Sequence, residues 1–185
     1  MNTSHVKEEK VKLKTGYTTG SSATAASKAA LLSIINQKKI DNVDILLPKR
    51  SYVKIPIYSC EFETDNASCS VIKNGGDDPD VTHGAEIIVK LSFTEKMNEI
   101  EIDGGEGVGI VTKPGLGLEI NKPAINPVPK KMITENLREV GKEVLSEKGI
   151  KVVISVPKGK ELGPKTDNPR LGIMDGISIL GTSGI

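Results

Sequence analysis

The residues with the most chemistry per unit length lie in Asn74-Gly75-Gly76-Asp77-Asp78-Pro79-Asp80-Val81-Thr82-His83-Gly84, which joins two apolar, strand-like runs. Three carboxylates, a hydroxyl, an imidazole and three glycines are more polarity and backbone freedom than a core can use. Oxygen ligands at Asp77, Asp78 and Asp80 could hold a hard cation, but the spacing around Pro79 does not fit a calcium loop. No resident metal is expected. His83 beside these carboxylates could shuttle a proton. The competing reading is a tight turn in which Asp caps its own backbone and the Gly75-Gly76 pair makes the bend.

A second constellation is Thr18-Thr19-Gly20-Ser21-Ser22, immediately before an alanine-rich run. A helix start exposes unpaired N–H groups and the positive end of the macrodipole, and four hydroxyls exceed what one cap requires. The sequence therefore suggests an anion site, against an ordinary cap with small residues chosen for packing. Gly104-Gly105-Glu106-Gly107-Val108-Gly109 resembles a phosphate-cradling loop only loosely, since no Gly-Lys-Thr/Ser ending follows and no helix opens there. Lys113, at a Pro-Gly turn, and Lys165, Asn168 and Arg170, in an irregular stretch, add groups suited to carboxylates.

The elements that must position these groups follow from periodicity. Ala23 to Ile35 is strongly helix-forming. Ile133, Leu137, Val140 and Val144 mark one face of a second helix over about 130–148, with Gly149 as its stop. Alternation predicts strands at Val43–Leu47, Val53–Ile57, Ala67–Lys73, Ile87–Phe93, Glu99–Asp103 and Lys151–Val156, with Pro56 marking an edge strand or a bulge. Strands in succession with short turns imply an α+β fold, a largely antiparallel sheet with two main helices. Residues 1–12 read as a disordered tail and 13–156 as one domain. Residues 157–185 read as a linker and the first strand of a second, truncated domain, because an apolar run there leads into Gly181-Thr182-Ser183-Gly184, a turn that usually opens a helix.

Bulk composition narrows the function. The net charge of +1 offers no field for nucleic acid or an anionic membrane, and three Tyr, two Phe and no Trp provide little for base stacking. No apolar run approaches a membrane span, and the polar N-terminus has no signal-like core. Cys60 and Cys69 could form a disulfide on count alone, but two cysteines in 185 residues fit free thiols in a reducing cytoplasm better. A cytoplasmic protein is expected, with a homo-oligomer left open.

Taken in order, several blocks resemble one family. They are Thr15 to Gly20 with the alanine-rich helix, Gly76 to Gly84, Gly104 to Gly109, Val111 to Leu116, Ala124 to Pro129, Asn168 to Ile173 and Gly176 to Ile185. Together they resemble the CbiD family, the cobalt-precorrin-5B C(1)-methyltransferases of anaerobic cobalamin synthesis. Ser21-Ser22 departs from a common Thr-Cys, Asn74 from Asp, and Asp175 from Gly. The resemblance implies methyl transfer from S-adenosylmethionine to C-1 of a cobalt-containing tetrapyrrole, giving cobalt-precorrin-6A. It also implies an α+β domain followed by a Rossmann-like one.

On that footing His83, Asp78 and Asp80 are the catalytic candidates. Thr18, Thr19, Gly20, Ser21, Ser22, Asp77, Thr82, Lys113, Asn126, Lys165, Asn168 and Arg170 are candidates for the substrate. Gly181, Thr182, Ser183 and Gly184 would face the cofactor, by analogy with ligands at strand ends in α/β units. Two other readings compete: a small-molecule phosphotransferase using the Thr19–Ser22 helix start, and a non-catalytic tetrapyrrole-binding fragment.

Overall fold

A computed structural model describes residues 13–185, so the tail expected at residues 1–12 lies outside the described residues. Its centre is α1 (Thr19–Asn36), of which fifteen side chains are buried, from Thr19 to Ile34. Alanines at 23, 25, 26, 29 and 30 are all fully buried, so neighbours can approach the helix from every side. Ser27 and Thr24 return their hydroxyls to carbonyls one turn back, at 2.7 and 2.8 Å, so no polar group is left unpaired by that burial.

Under α1 lies a five-stranded sheet of β3 (Ser59–Phe62), β4 (Asn66–Ile72), β5 (Glu86–Thr94), β8 (Gly149–Ser155) and β6 (Ile100–Gly104), in that spatial order. All pairs are antiparallel except β6–β8. The parallel pair arises because α2 (Pro127–Val140) and α3 (Lys142–Glu147) carry the chain back across the sheet between them. Cys69, Val71, Ile87, Val89, Leu91, Ile150, Val152 and Ile154 fill the buried face. A separate hairpin, β1 (Asn42–Leu46) and β2 (Tyr52–Pro56), places Pro56 on an edge as expected.

Asn136 of α2 clamps that hairpin. Its side chain accepts from Leu46 N at 2.8 Å and donates to Leu46 O at 3.1 Å while fully buried. Short elements complete the fold: β7 (Ile110–Val111), α4 (Gly159–Leu162), a 3-10 turn (Gly163–Lys165), α5 (Asn168–Leu171) and β9 (Ile173–Met174).

The mixed α+β architecture and its mostly antiparallel sheet agree with the sequence. Three details differ. The second helix begins at Pro127 and breaks at Gly141, where a Cβ would stand 2.8 Å from both the Leu137 carbonyl oxygen and Leu31 Cδ2. Strand β3 is too short and polar to show in the alternation. The Gly104–Gly109 loop is a chain crossing: at Gly107, with φ of 74°, it passes directly beneath the Val156 carbonyl and the Gly159 backbone, which only glycine permits.

Residues 157–185 fold back onto this same core, where the sequence suggested a linker and a new strand. Ile177 and Ile179 are buried with α1 and the sheet. Their backbone makes single bridges to Val108 and Ile125 instead of a continuous ladder.

Candidate functional site

The Asn74–Gly84 loop connects β4 to β5, and the hairpin pairing continues past the strand ends through Lys73 N–Ala85 O and Gly84 N–Lys73 O, both 2.8 Å. The loop therefore has a fixed base. Its tip is tied to the N-terminal segment: Tyr17 N donates to Asn74 O at 2.8 Å, and Lys14 N to an Asp77 carboxylate oxygen at 2.5 Å. Gly76, with φ of 66°, lies against Gly16 so closely that no side chain fits at either position.

Beside this loop are two adjoining cavities. The larger, about 640 Å³, is lined by Thr18, Thr19, Lys73, Asp80 and Thr82 together with Lys165, Asp167, Asn168, Ser178 and Leu180. The smaller, about 380 Å³, is bounded by Lys14, Thr18, Asp77, Asp78 and Asp80. Thr18, Lys73 and Asp80 belong to both.

Lys73, which none of the motifs singled out, lines both cavities. It is only 4% exposed and ion-pairs with Asp80. The signal was present in the alternation: Ala67, Cys69 and Val71 point inward, and period two puts Lys73 on the same face. A lysine continuing an apolar stripe at a strand end is buried for a reason beyond solubility.

Asp80 is held as an ionised acceptor. Burial by itself would raise its pKa, but hydrogen bonds from Lys73 and from the Thr82 hydroxyl and backbone, with the lysine charge, outweigh that and lower it. One oxygen takes Thr82 N at 2.8 Å and Thr82 Oγ1 at 2.7 Å, and the other takes Lys73. A carboxylate so engaged is a poor base, so Asp80 orients Lys73 instead of abstracting a proton. His83 is exposed, and its Nδ1 accepts from Gly75 N at 3.0 Å. That bond fixes the tautomer with the proton on Nε2, making the outward face of the ring a donor. Asp78 is exposed on the wall of the smaller cavity. Among the described residues no group of three or more His, Cys, Asp or Glu converges as a metal site.

The start of α1 is not open to an anion. The C-terminal segment lies across it: Gly20 N donates to Leu180 O at 2.7 Å and Thr18 N to Gly184 O at 3.3 Å. Thr19 exchanges hydrogen bonds with the Leu180 backbone, and Ser21 Oγ donates to Gly184 O at 2.7 Å. Ser22 Oγ bonds back to Thr18 O at 3.2 Å, and Thr18 Oγ1 accepts from Ser21 N as the cap. Gly20, Ser21 and Ser22 are thus interior packing, and only Thr18 and Thr19 reach a cavity. The phosphotransferase reading loses its phosphate site for the same reason.

The remaining candidates divide. Lys165 lines the larger cavity, paired loosely with Glu161 at 3.8 Å. Asn168 is buried in that wall, donating to Gly176 O and accepting from Ser178, both at 3.3 Å. Arg170 is exposed, 3.9 Å from Asp167, and does not line the cavities. Lys113 is exposed and packs its stem beside Gly172, away from them. Asn126 stands at the start of α2 with its Oδ1 buried and unpaired. Gly181 packs on Thr18, and Gly184 is buried and engaged by α1 through its carbonyl.

Comparison with known proteins gives one consistent answer. The chain is 51% identical over 180 residues to a Priestia megaterium protein named cobalt-precorrin-5B C(1)-methyltransferase, covering 97% of this chain and 49% of that protein. A Geobacillus kaustophilus protein of the same name is 52% identical over 178 residues, covering 96% and 48%. The chain thus spans about half the length of the curated relatives it matches. The crystal structure of a cobalamin biosynthesis protein (cbiD) from Archaeoglobus fulgidus matches with a TM-score of 0.67 and 33% identity, over 93% of this chain and 54% of that one. The CbiD family model matches residues 6–185, and the chain belongs to the CbiD family.

Proposed function

We propose that this chain supplies the substrate-side half of a cobalt-precorrin-5B C(1)-methyltransferase, which moves a methyl group onto C-1 of a cobalt-containing tetrapyrrole in cobalamin biosynthesis, in the cytoplasm. The observation that carries the reading is the near-complete match of this chain to relatives bearing that name, at about half identity. The geometry is in keeping with it. A carboxylate-bearing macrocycle needs a wide cleft with a few fixed donors, and the larger cavity presents the ammonium groups of Lys73 and Lys165.

The donor in this reading is S-adenosylmethionine, whose sulfonium is already a good leaving group, so catalysis would rest mainly on positioning. Of the cofactor-side candidates Gly181 to Gly184, Gly184 is taken up in holding the start of α1. Gly184 O is taken by Thr18 N and Ser21 Oγ, and Ser183 Oγ by Ile185 O. No step is assigned to them. The chain's own contribution is binding: Lys73, oriented by Asp80, and Lys165 both line the larger cavity. His83 lines neither cavity, so its Nε2 N–H lies beside the cleft, and Asp78, which has no hydrogen bond among the described residues, is the carboxylate available to accept a proton if the reacting carbon must lose one.

The test is an anaerobic assay with cobalt-precorrin-5B and S-adenosylmethionine, on this chain and on the full-length Priestia megaterium relative. Asp78→Ala and His83→Ala in the relative should reduce turnover more than thermal stability. Wild-type rates in both variants would remove the loop from the active site. Substrate binding by this chain without turnover would favour a binding role for this half. Absence of both binding and turnover would sink the proposal.

A further inference from the structure

The ammonium of Lys73 has three N–H donors, and among the described residues it has one acceptor, Asp80. A lysine that is 4% exposed would ordinarily have its donors matched by protein oxygen, because an unmatched buried donor is costly. The side chain reaches the junction of the two cavities, so the unmatched donors lie where a ligand would pass from one to the other. We propose that Lys73 is the ligand-anchoring cation of the cleft, holding a carboxylate of the bound molecule between itself and Lys165 while Asp80 keeps its ammonium in place. This deepens the tetrapyrrole reading and rests on it for the identity of the ligand, though not for its charge.

The charges around the site make the anchor local. Asp80 is already compensated by Lys73, and Asp167 and Asp78 are exposed on the outer walls. A ligand oxygen entering the junction meets Lys73, and Lys165 in the lining of the larger cavity offsets the added negative charge. Asp80 cannot leave to follow the ligand, since Thr82 holds its other oxygen through both backbone and side chain. Lys73 is therefore pre-organised, and the ordering cost is met before binding.

The test is a binding titration of this 185-residue chain with uroporphyrin, which carries eight carboxylates, with its octamethyl ester, and with glutarate, which has two carboxylates and no macrocycle. Lys73→Met should weaken uroporphyrin and glutarate binding by roughly ten- to a hundredfold, and leave ester binding unchanged. Lys73→Arg should keep most of the carboxylate preference. The double variant Lys73→Met/Asp80→Asn removes both charges, so it guards against a folding defect from an unpaired carboxylate. It should still lack the preference.

If the double variant binds uroporphyrin as tightly as the wild type, or if the wild type binds neither carboxylate probe, the anchor is overturned. Glutarate binding that depends on Lys73, without binding of either macrocycle, keeps the anchor and removes the tetrapyrrole reading.

Discussion

Two lysines in this protein are equally buried, at 4% exposure, and each borders a cavity, but they differ in the partners the protein gives them. Lys28, on α1, donates to Asp44 O at 2.7 Å and to Glu139 at 3.3 Å, and lies 5.8 Å from the centre of the Tyr52 ring. Its donors and its charge are met by three different elements, α2, β1 and β2. It works as a staple that fixes the hairpin and α2 to the central helix. Lys73 has Asp80 alone among the described residues, and its remaining donors face the cleft. Burial alone therefore does not distinguish the two; the number of protein acceptors around the ammonium does, two for Lys28 against one for Lys73 among the described residues.

The comparison can be broken most directly by removing each amine. Lys73→Met in full-length enzyme should lower kcat/KM by about a hundredfold, because a hydrogen bond between charged groups contributes roughly 1.5–3 kcal/mol. Its unfolding midpoint should fall less than that of Lys28→Met, since the Asp80 side chain is 33% exposed and keeps both hydrogen bonds from Thr82. Lys28→Met should do the reverse: a loss of about 1–3 kcal/mol in urea unfolding, with activity per folded molecule preserved. Equal stability losses in the two variants, with equal activity, would erase the distinction.

A smaller effect sharpens the comparison through pH. The lowered pKa of Asp80 means that its pairing with Lys73 contributes stability above the ordinary carboxylate range, about pH 4, and loses it as pH falls through the lowered folded value. The difference in urea midpoint between wild type and Asp80→Asn should be full at pH 6 and shrink toward pH 2. A difference that is flat across this range would mean that the pair does not titrate as described.

The smallest effect is expected from His83→Asn, whose shorter side chain loses the acceptor for Gly75 N. Loop exchange of Gly75 N–H, read by hydrogen–deuterium exchange, should quicken by about fivefold to tenfold, with global stability within about 0.5 kcal/mol. Unchanged exchange would show that Asn74 and Tyr17 alone hold the loop.

Much of the scaffold could be read in advance, and particular residues show why. Cys69, Val71 and Lys73 alternate because a strand places every second side chain on one face, and the alanines from 23 to 30 declare a helix that neighbours approach closely. The same alternation pointed to Lys73, but a lysine at a strand end looks like a solvated edge until the neighbouring loop is placed over it. The hydroxyls at 18–22 were legible as more than a cap requires. Their partners were not, because Leu180 and Gly184 approach them from some 160 positions away in sequence.

Sequence by itself determined the local elements, the polar loop between β4 and β5, and the family. Tertiary structure alone decided which polar groups are free. It closed the start of α1 with the carbonyls of the C-terminal segment, engaged both oxygens of Asp80, fixed the His83 tautomer and left Lys73 facing the cleft. The reason is physical. A side chain's type fixes how many hydrogen bonds it can make, whereas only the folded chain fixes which of them the protein has already satisfied.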